Sequence, residues 1–214
     1  MQDDLFPDSW QRPAQQIRDG VIHLPGHAQA SASLIWQQVQ TILQQAPLRQ
    51  MQTPGGRTMS VSMSNCGTLG WVSAYGGYHY CATDPANGLP WPAMPTQLAA
   101  LARQWAAEAG FNDFDSNACL INNYVPGSKM SLHQDRDERD FSHPIVTLSL
   151  GLPARFMLGG LQRNNPCQHI PLLHGDILVF GGPARLCFHG IMPLAEGNHP
   201  LLGRRRISLT FRRA

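Results

Sequence analysis

Lysine is almost missing from this sequence, and charge of either sign is scarce. One lysine, Lys129, stands against fifteen arginines, and charged residues fill 14% of the 214 positions, where roughly 25% is usual. Long apolar runs are missing too: none approaches the ~18 residues of a membrane-spanning helix. The first residues, Met1-Gln-Asp-Asp-Leu-Phe, are acidic and have no apolar centre, which argues against a secretory signal. Cysteine is sparse and odd in number. Cys66, Cys81, Cys119, Cys167 and Cys187 are widely spaced without any Cys-x-x-Cys, which argues against a disulfide framework or a structural zinc site. A net charge of +2 is too small to declare a nucleic-acid partner. What is present, 43% apolar residues and five Trp, excludes disorder and suffices for one domain with a sizeable core. The sequence reads as a soluble, cytoplasmic, monomeric protein.

Residues 1–20 are polar and poorly periodic, and are expected to form a flexible leader. Residues 21–112 hold two helical patterns. From Ser31 to Ala46, Ile35, Val39, Ile42, Leu43 and Ala46 follow helical spacing, with Ser31 or Ser33 as a cap and Pro47 as the stop. From Thr96 to Ala109, Leu98, Leu101, Ala102, Trp105 and Ala109 form one stripe, and Gly110 ends it. Between them runs a Gly/Pro-punctuated stretch with an alternating strand, Met59–Asn65, and the aromatics Trp71, Tyr75, Tyr78 and Tyr80. Residues 113–214 are different: short β-type runs recur at 118–124, 129–133, 144–151, 154–158, 168–173, 176–181, 185–190 and 206–212. Such a series without intervening helices suggests a sandwich or jelly roll, making the chain α+β and mainly β.

Period-two alternation then sorts the side chains by face. In 206–212, Ile207, Leu209 and Phe211 point one way and Arg206, Ser208, Thr210 and Arg212 the other; in 118–124, Asn122 and Tyr124 share a face. The apolar face packs on the helices. The polar face, turned inward, would bury two arginines, which is unfavourable without an anion to meet them. That face asks for a ligand. His133 and Asp135 project together at the end of one strand, and His189 lies in a later one. Two histidines and a carboxylate form the facial triad of non-haem Fe(II) oxygenases. The spacing alone is weak evidence among nine histidines, and His133 could equally be a solvated loop residue.

Longer strings narrow the reading. Ala118-Cys-Leu-Ile-Asn-Asn-Tyr-Val-Pro-Gly, Leu132-His-Gln-Asp-Arg-Asp-Glu, His174-Gly-Asp, His189-Gly-Ile and Arg206-x-Ser-x-Thr-Phe-Arg, with Thr53–Trp71 upstream, resemble in order the bacterial AlkB family of Fe(II)/2-oxoglutarate dioxygenases. The resemblance implies a double-stranded β-helix at 113–214, carrying supporting helices and a nucleotide-recognition lid. It implies Fe(II) on His133, Asp135 and His189, with 2-oxoglutarate and O2 as co-substrates. The far carboxylate of 2-oxoglutarate would pair with Arg206 or Arg212, helped by Asn122, Asn123, Tyr124 and Ser208. Ser208 departs from the family's usual Asn, and Phe180 from its usual Trp. Trp71 would stack one face of a flipped base, with Tyr78 at its phosphate, His189 near the other face, Tyr80 also among the substrate-binding residues, Asp137 accepting from the exocyclic amine and Arg163 at the opposite rim. Glu138 reads as a solvated acidic residue. The implied activity is oxidative dealkylation of nucleobases in alkylated, single-stranded DNA, with formaldehyde and succinate released. The alternatives are a dioxygenase acting on RNA or protein, and a non-catalytic jelly-roll binding module.

Overall fold

The computed structural model describes residues 11–214, so residues 1–10 of the expected leader lie outside the described residues. In chain order the elements are β1 (Gln15–Arg18), β2 (Val21–Leu24), α1 (Ala32–Gln45), β3 (Arg49–Gln52), β4 (Thr58–Gly67), β5 (Gly70–Ala74), β6 (Gly77–Cys81) and α2 (Thr96–Glu108). There follow β7 (Ala118–Tyr124), β8 (Met130–His133), β9 (Ile145–Gly151), β10 (Ala154–Leu158), β11 (Gln168–Leu172), β12 (Asp176–Phe180), β13 (His189–Ile191) and β14 (Arg206–Arg212).

Both expected helices form. α1 buries Ile35, Val39 and Ile42 along one stripe, and Ser31 takes its N-cap position without a side-chain cap hydrogen bond. α2 buries Leu98, Ala102, Trp105 and Ala106. It closes with Gly110 N–H donating to Ala107 O at 2.9 Å and Phe111 N–H to Ala106 O at 2.8 Å. That pairing requires a positive φ just past the C-cap, and Gly110 supplies one of 90°.

The strands make two facing walls. β12-β9-β14-β7 form the centre of an eight-stranded sheet, ordered β1-β2-β12-β9-β14-β7-β4-β3, and β11-β10-β13-β8 form the four-stranded second sheet. This is the double-stranded β-helix. Ile207, Leu209 and Phe211 join α1 and α2 in one apolar core outside the large sheet. Leu120, Tyr124, Phe156, Ile170, Leu178 and Phe180 belong to a second core. At ~1.5–3 kcal/mol for each fully buried large apolar side chain, both faces of the large sheet contribute to stability. The inward face of β14, carrying Arg206, Ser208, Thr210 and Arg212, lines a cavity.

Three boundaries differ from expectation. Gln15–Arg18, read as leader, is an edge strand paired with β2, and Arg18 Nη1 donates to Gly159 O at 2.7 Å. Four residues with a single apolar side chain, Ile17, carry no periodicity to read. β3 and β4, in the segment assigned to helices and lid, extend the large sheet. The strand expected over 185–190 is confined to His189–Ile191, because the turn at Gly182–Ala184 continues as Cys187 N–H donates to Ala184 O at 3.0 Å.

A histidine pair closes one end of the large sheet. Gly151 N–H donates to His174 Nδ1 at 3.0 Å, Leu201 N–H donates to His199 Nδ1 at 3.2 Å, and the two rings lie 4.3 Å apart. Burial, then the neighbouring His199, push His174 down to about 4. An unfolded histidine titrates near ~6.5, so the unfolded state binds more protons between the two values. The contribution is therefore complete above ~6.5 and is lost as pH falls toward 4. Thermal unfolding followed across this window should show a falling midpoint. His174→Asn, whose side-chain carbonyl accepts the Gly151 N–H but does not protonate, should fall less; an identical slope would remove His174 as the cause.

Candidate active site

The register of the second sheet assembles the site. β13 pairs antiparallel with β8 so that His189 stands directly opposite His133. A Cβ on Gly190 would lie 2.6 Å from Met130 O, so only glycine lets the two strands run this close. Asp135 follows two residues past His133, beyond the end of β8. His133 Nε2 lies 3.6 Å from Asp135 Oδ1 and His189 Nε2 3.7 Å from Asp135 Oδ2. Among the described residues this is the one group of three His, Cys, Asp or Glu whose ligand atoms converge, all within 4.8 Å of one another.

The protonation states suit a cation. Each imidazole uses Nδ1 against a carbonyl two residues earlier, His133 on Ser131 O at 2.8 Å and His189 on Cys187 O at 3.0 Å. A carbonyl only accepts, so Nδ1 carries a proton and Nε2 is the ring nitrogen turned toward Asp135. Burial, then the neighbouring His133, push His189 down to about 4, which keeps it neutral. Burial opposes ionisation of Asp135, but Arg212, His189 and His133 outweigh it and hold its carboxyl well below the usual range. Two imidazole nitrogens and one carboxylate are the donor set that suits Fe(II). The His133 side chain is 38% exposed against 7% for His189, so solvent reaches the site from the His133 side.

Asn122, Tyr124, Arg206, Ser208 and Arg212 line the same cavity as the triad. Its two arginines are not equivalent. Arg212 donates to Asp135 Oδ2 through Nε at 3.1 Å and Nη2 at 2.7 Å, and so already has its carboxylate. Arg206 is 1% exposed, donates through Nε to Ser149 Oγ at 2.9 Å and lies over the Tyr124 ring at 5.0 Å. Its Nη1 has no partner among the described residues, and neither has Asn122 Oδ1 in the same cavity. A buried guanidinium without an anion calls for one, and the distal carboxylate of 2-oxoglutarate fits. Ser208 shares a 3.1 Å hydrogen bond with Thr147. Asn123 does not reach the cavity: the strand's alternation turns it to the opposite face, where it donates to Ser62 Oγ at 3.0 Å.

The remaining expected residues sit around the cavity, not among its lining. β5 and β6 pair as a separate hairpin. On it, Trp71 stacks on Tyr78 with centroids 5.3 Å apart, and its Nε1–H donates to Asp137 Oδ2 at 2.8 Å. Tyr80 donates to Glu138 Oε1 at 2.6 Å. Arg163 donates to Leu132 O at 2.6 Å, next to His133, and covers the Phe188 ring at 4.9 Å. Glu138 corrects the expectation of a solvated residue: its side chain is 1% exposed and pairs with Arg185 at 3.1 Å. Neither Glu138 nor Arg185 carried a sequence signal. One was masked by the acidic run from Asp135 to Asp140, the other by a strand pattern.

Residues 20–212 match the 2OG-Fe(II) oxygenase superfamily. The alpha-ketoglutarate-dependent dioxygenase AlkB of Salmonella typhimurium is 50% identical over 213 residues, covering 99% of this chain and 97% of that protein. The human nucleic acid dioxygenase ALKBH1 is 36% identical over 133 residues, 60% of this chain and 34% of the relative. The solved structure of OsALKBH1 superposes with a TM-score of 0.83 at 26% identity, covering 94% of this chain and all of that one. Family, fold and site agree: the chain belongs to the 2OG-Fe(II) oxygenase superfamily and, within it, to the AlkB dioxygenases that use Fe(II), 2-oxoglutarate and O2.

Proposed function

We propose that this chain removes alkyl groups of the 1-methyladenine and 3-methylcytosine type from DNA by oxidation, acting on single strands and releasing formaldehyde and succinate. The observation that carries the reading is the indole of Trp71, held by the carboxylate of Asp137, two residues past Asp135 of the triad. A base must leave its stack to reach a buried metal, and a fixed flat side chain receives it. The Trp71–Tyr78 pair offers a stack that the base extends. Asp137 spends one oxygen on Trp71, leaving the other for an exocyclic amine. Its charge suits a cationic alkylated base.

His133, Asp135 and His189 would hold Fe(II), which when bound with 2-oxoglutarate and O2 supplies the oxidising chemistry that side chains lack. Arg206 would receive the distal carboxylate, with Asn122 and Tyr124 beside it. Arg212 fixes Asp135 by two hydrogen bonds, as partners of metal ligands do. Phe156 stacks on His189 at 5.6 Å and Phe180 meets it edge-on at 4.9 Å, so apolar rings keep water from its buried side. Arg163 would meet the nucleotide at the rim.

Succinate formation with and without a 3-methylcytosine oligonucleotide tests the reading, with mass spectrometry following loss of the methyl group. The oligonucleotide should stimulate the wild type. Trp71→Ala should weaken oligonucleotide binding by about 1–3 kcal/mol, the range for base–aromatic stacking, while substrate-free turnover of 2-oxoglutarate changes little. An oligonucleotide that fails to stimulate the wild type, or stimulates Trp71→Ala equally, would refute the nucleobase assignment. Greater stimulation by the RNA form would move the substrate to RNA.

A further inference from the structure

Every nitrogen of the Arg185 guanidinium is used inside the protein. Nε donates to His143 O at 3.0 Å, Nη1 to Asp135 O at 2.7 Å and Nη2 to Glu138 Oε2 at 3.1 Å. Asp135 and His143 bracket the segment between β8 and β9, so one side chain gathers both ends of that segment around Glu138. The other oxygen of Glu138 accepts the Tyr80 hydroxyl from β6 at 2.6 Å and lies 3.4 Å from Arg212 Nε. Arg212 in turn holds the Asp135 carboxylate. The hairpin carrying Trp71 is therefore joined to both the main chain and the carboxylate of Asp135.

Stability is a poor explanation for this arrangement. The Arg185 and Glu138 side chains are 3% and 1% exposed, and desolvation offsets most of the attraction in so buried a pair. A fully satisfied polar network does specify geometry. We propose that Arg185 and Glu138 are positioning residues that couple the seating of the β5–β6 hairpin to the placement of Asp135; this rests on the reading of Asp135 as an iron ligand. With the hairpin seated, the Tyr80 hydroxyl occupies Glu138 Oε1 and Arg212 stays on Asp135. With it displaced, that oxygen competes with Asp135 for Arg212. A seated hairpin thus keeps Arg212 on Asp135 and the metal site complete.

The test uses the full chain and Co(II) as the probe, with affinity and visible absorption bands read in Tyr80→Phe, Arg185→Lys and the double variant. Arg185→Lys should weaken Co(II) roughly tenfold, within the span for partners of metal ligands. Tyr80→Phe should weaken it about threefold and shift the bands in the same direction, although it touches no ligand. The double variant should be no weaker than Arg185→Lys, because both substitutions break one chain of contacts. Unchanged affinity and bands in Tyr80→Phe, or additive losses, would overturn the proposal. If Arg185→Lys does not fold, Glu138→Gln, similar in size and still an acceptor for Tyr80, takes its place in the cycle. A wild type that takes up no Co(II) would remove the metal site itself and this proposal with it.

Discussion

Replacing His133 by Ala is expected to abolish turnover of 2-oxoglutarate while leaving the melting temperature nearly unchanged. With its side chain 38% exposed, truncation there leaves no enclosed cavity, and the cost should stay near about 1 kcal/mol, the centre of the range for point substitutions. The loss to iron is a whole ligand of three, and the two that remain do not define a facial set. The other two triad positions make less clean tests. His189 is packed between Phe156 and Phe180, so His189→Ala opens a cavity as well as removing a ligand. Asp135→Ala leaves Arg212 buried beside the empty position, and breaking a buried pair costs about 3–5 kcal/mol. Succinate release, Co(II) titration and a thermal melt on His133→Ala together separate metal loss from unfolding. Retained turnover in this variant would end the assignment of the triad.

How much of this was legible in the sequence depends on the distance over which each feature is encoded. The period of β14 is local, and it sorted Arg206 and Arg212 from Ile207 and Leu209 correctly. α1 and α2 were legible for the same reason, their apolar stripes and stops being written within a few turns. The opposition of His189 to His133 is not local. It follows from the β13–β8 register, which the sequence suggests only through family resemblance. Partner choice was the least legible. Nothing near Arg212 in the chain says that its fork meets Asp135, and nothing near Glu138 says that Arg185 and Tyr80 bury it. Asn123 shows the converse error: a string that resembles a family carries neighbours along with it, whereas the strand's alternation sends Asn123 away from the cavity. For Gln15–Arg18, a short edge strand defined by its partner offers no pattern of its own.

The unequal partners of the two arginines lead to the second large effect. Arg206→Met is expected to raise the KM for 2-oxoglutarate on the order of a hundred- to several-thousandfold, the fold-change for losing one side of a buried ion pair at about 3–5 kcal/mol. Its KM for the methylated oligonucleotide should move far less, since the guanidinium lies at the base of the cavity over Tyr124. Arg206→Lys keeps the charge but not the fork and should fall between wild type and Met. Burial pushes the Arg206 guanidinium down from its ordinary value, and a carboxylate opposite it would counter that shift by favouring the charged form. Arg212→Lys should behave differently. It loses the paired donation to Asp135 Oδ2, so metal affinity should suffer before co-substrate affinity does. Steady-state kinetics against 2-oxoglutarate at saturating Fe(II), beside Co(II) titrations, resolves the two. If Arg212→Lys raised the KM for 2-oxoglutarate more than Arg206→Lys, the distal carboxylate would belong to Arg212, and the unpaired Nη1 of Arg206 would need another ligand.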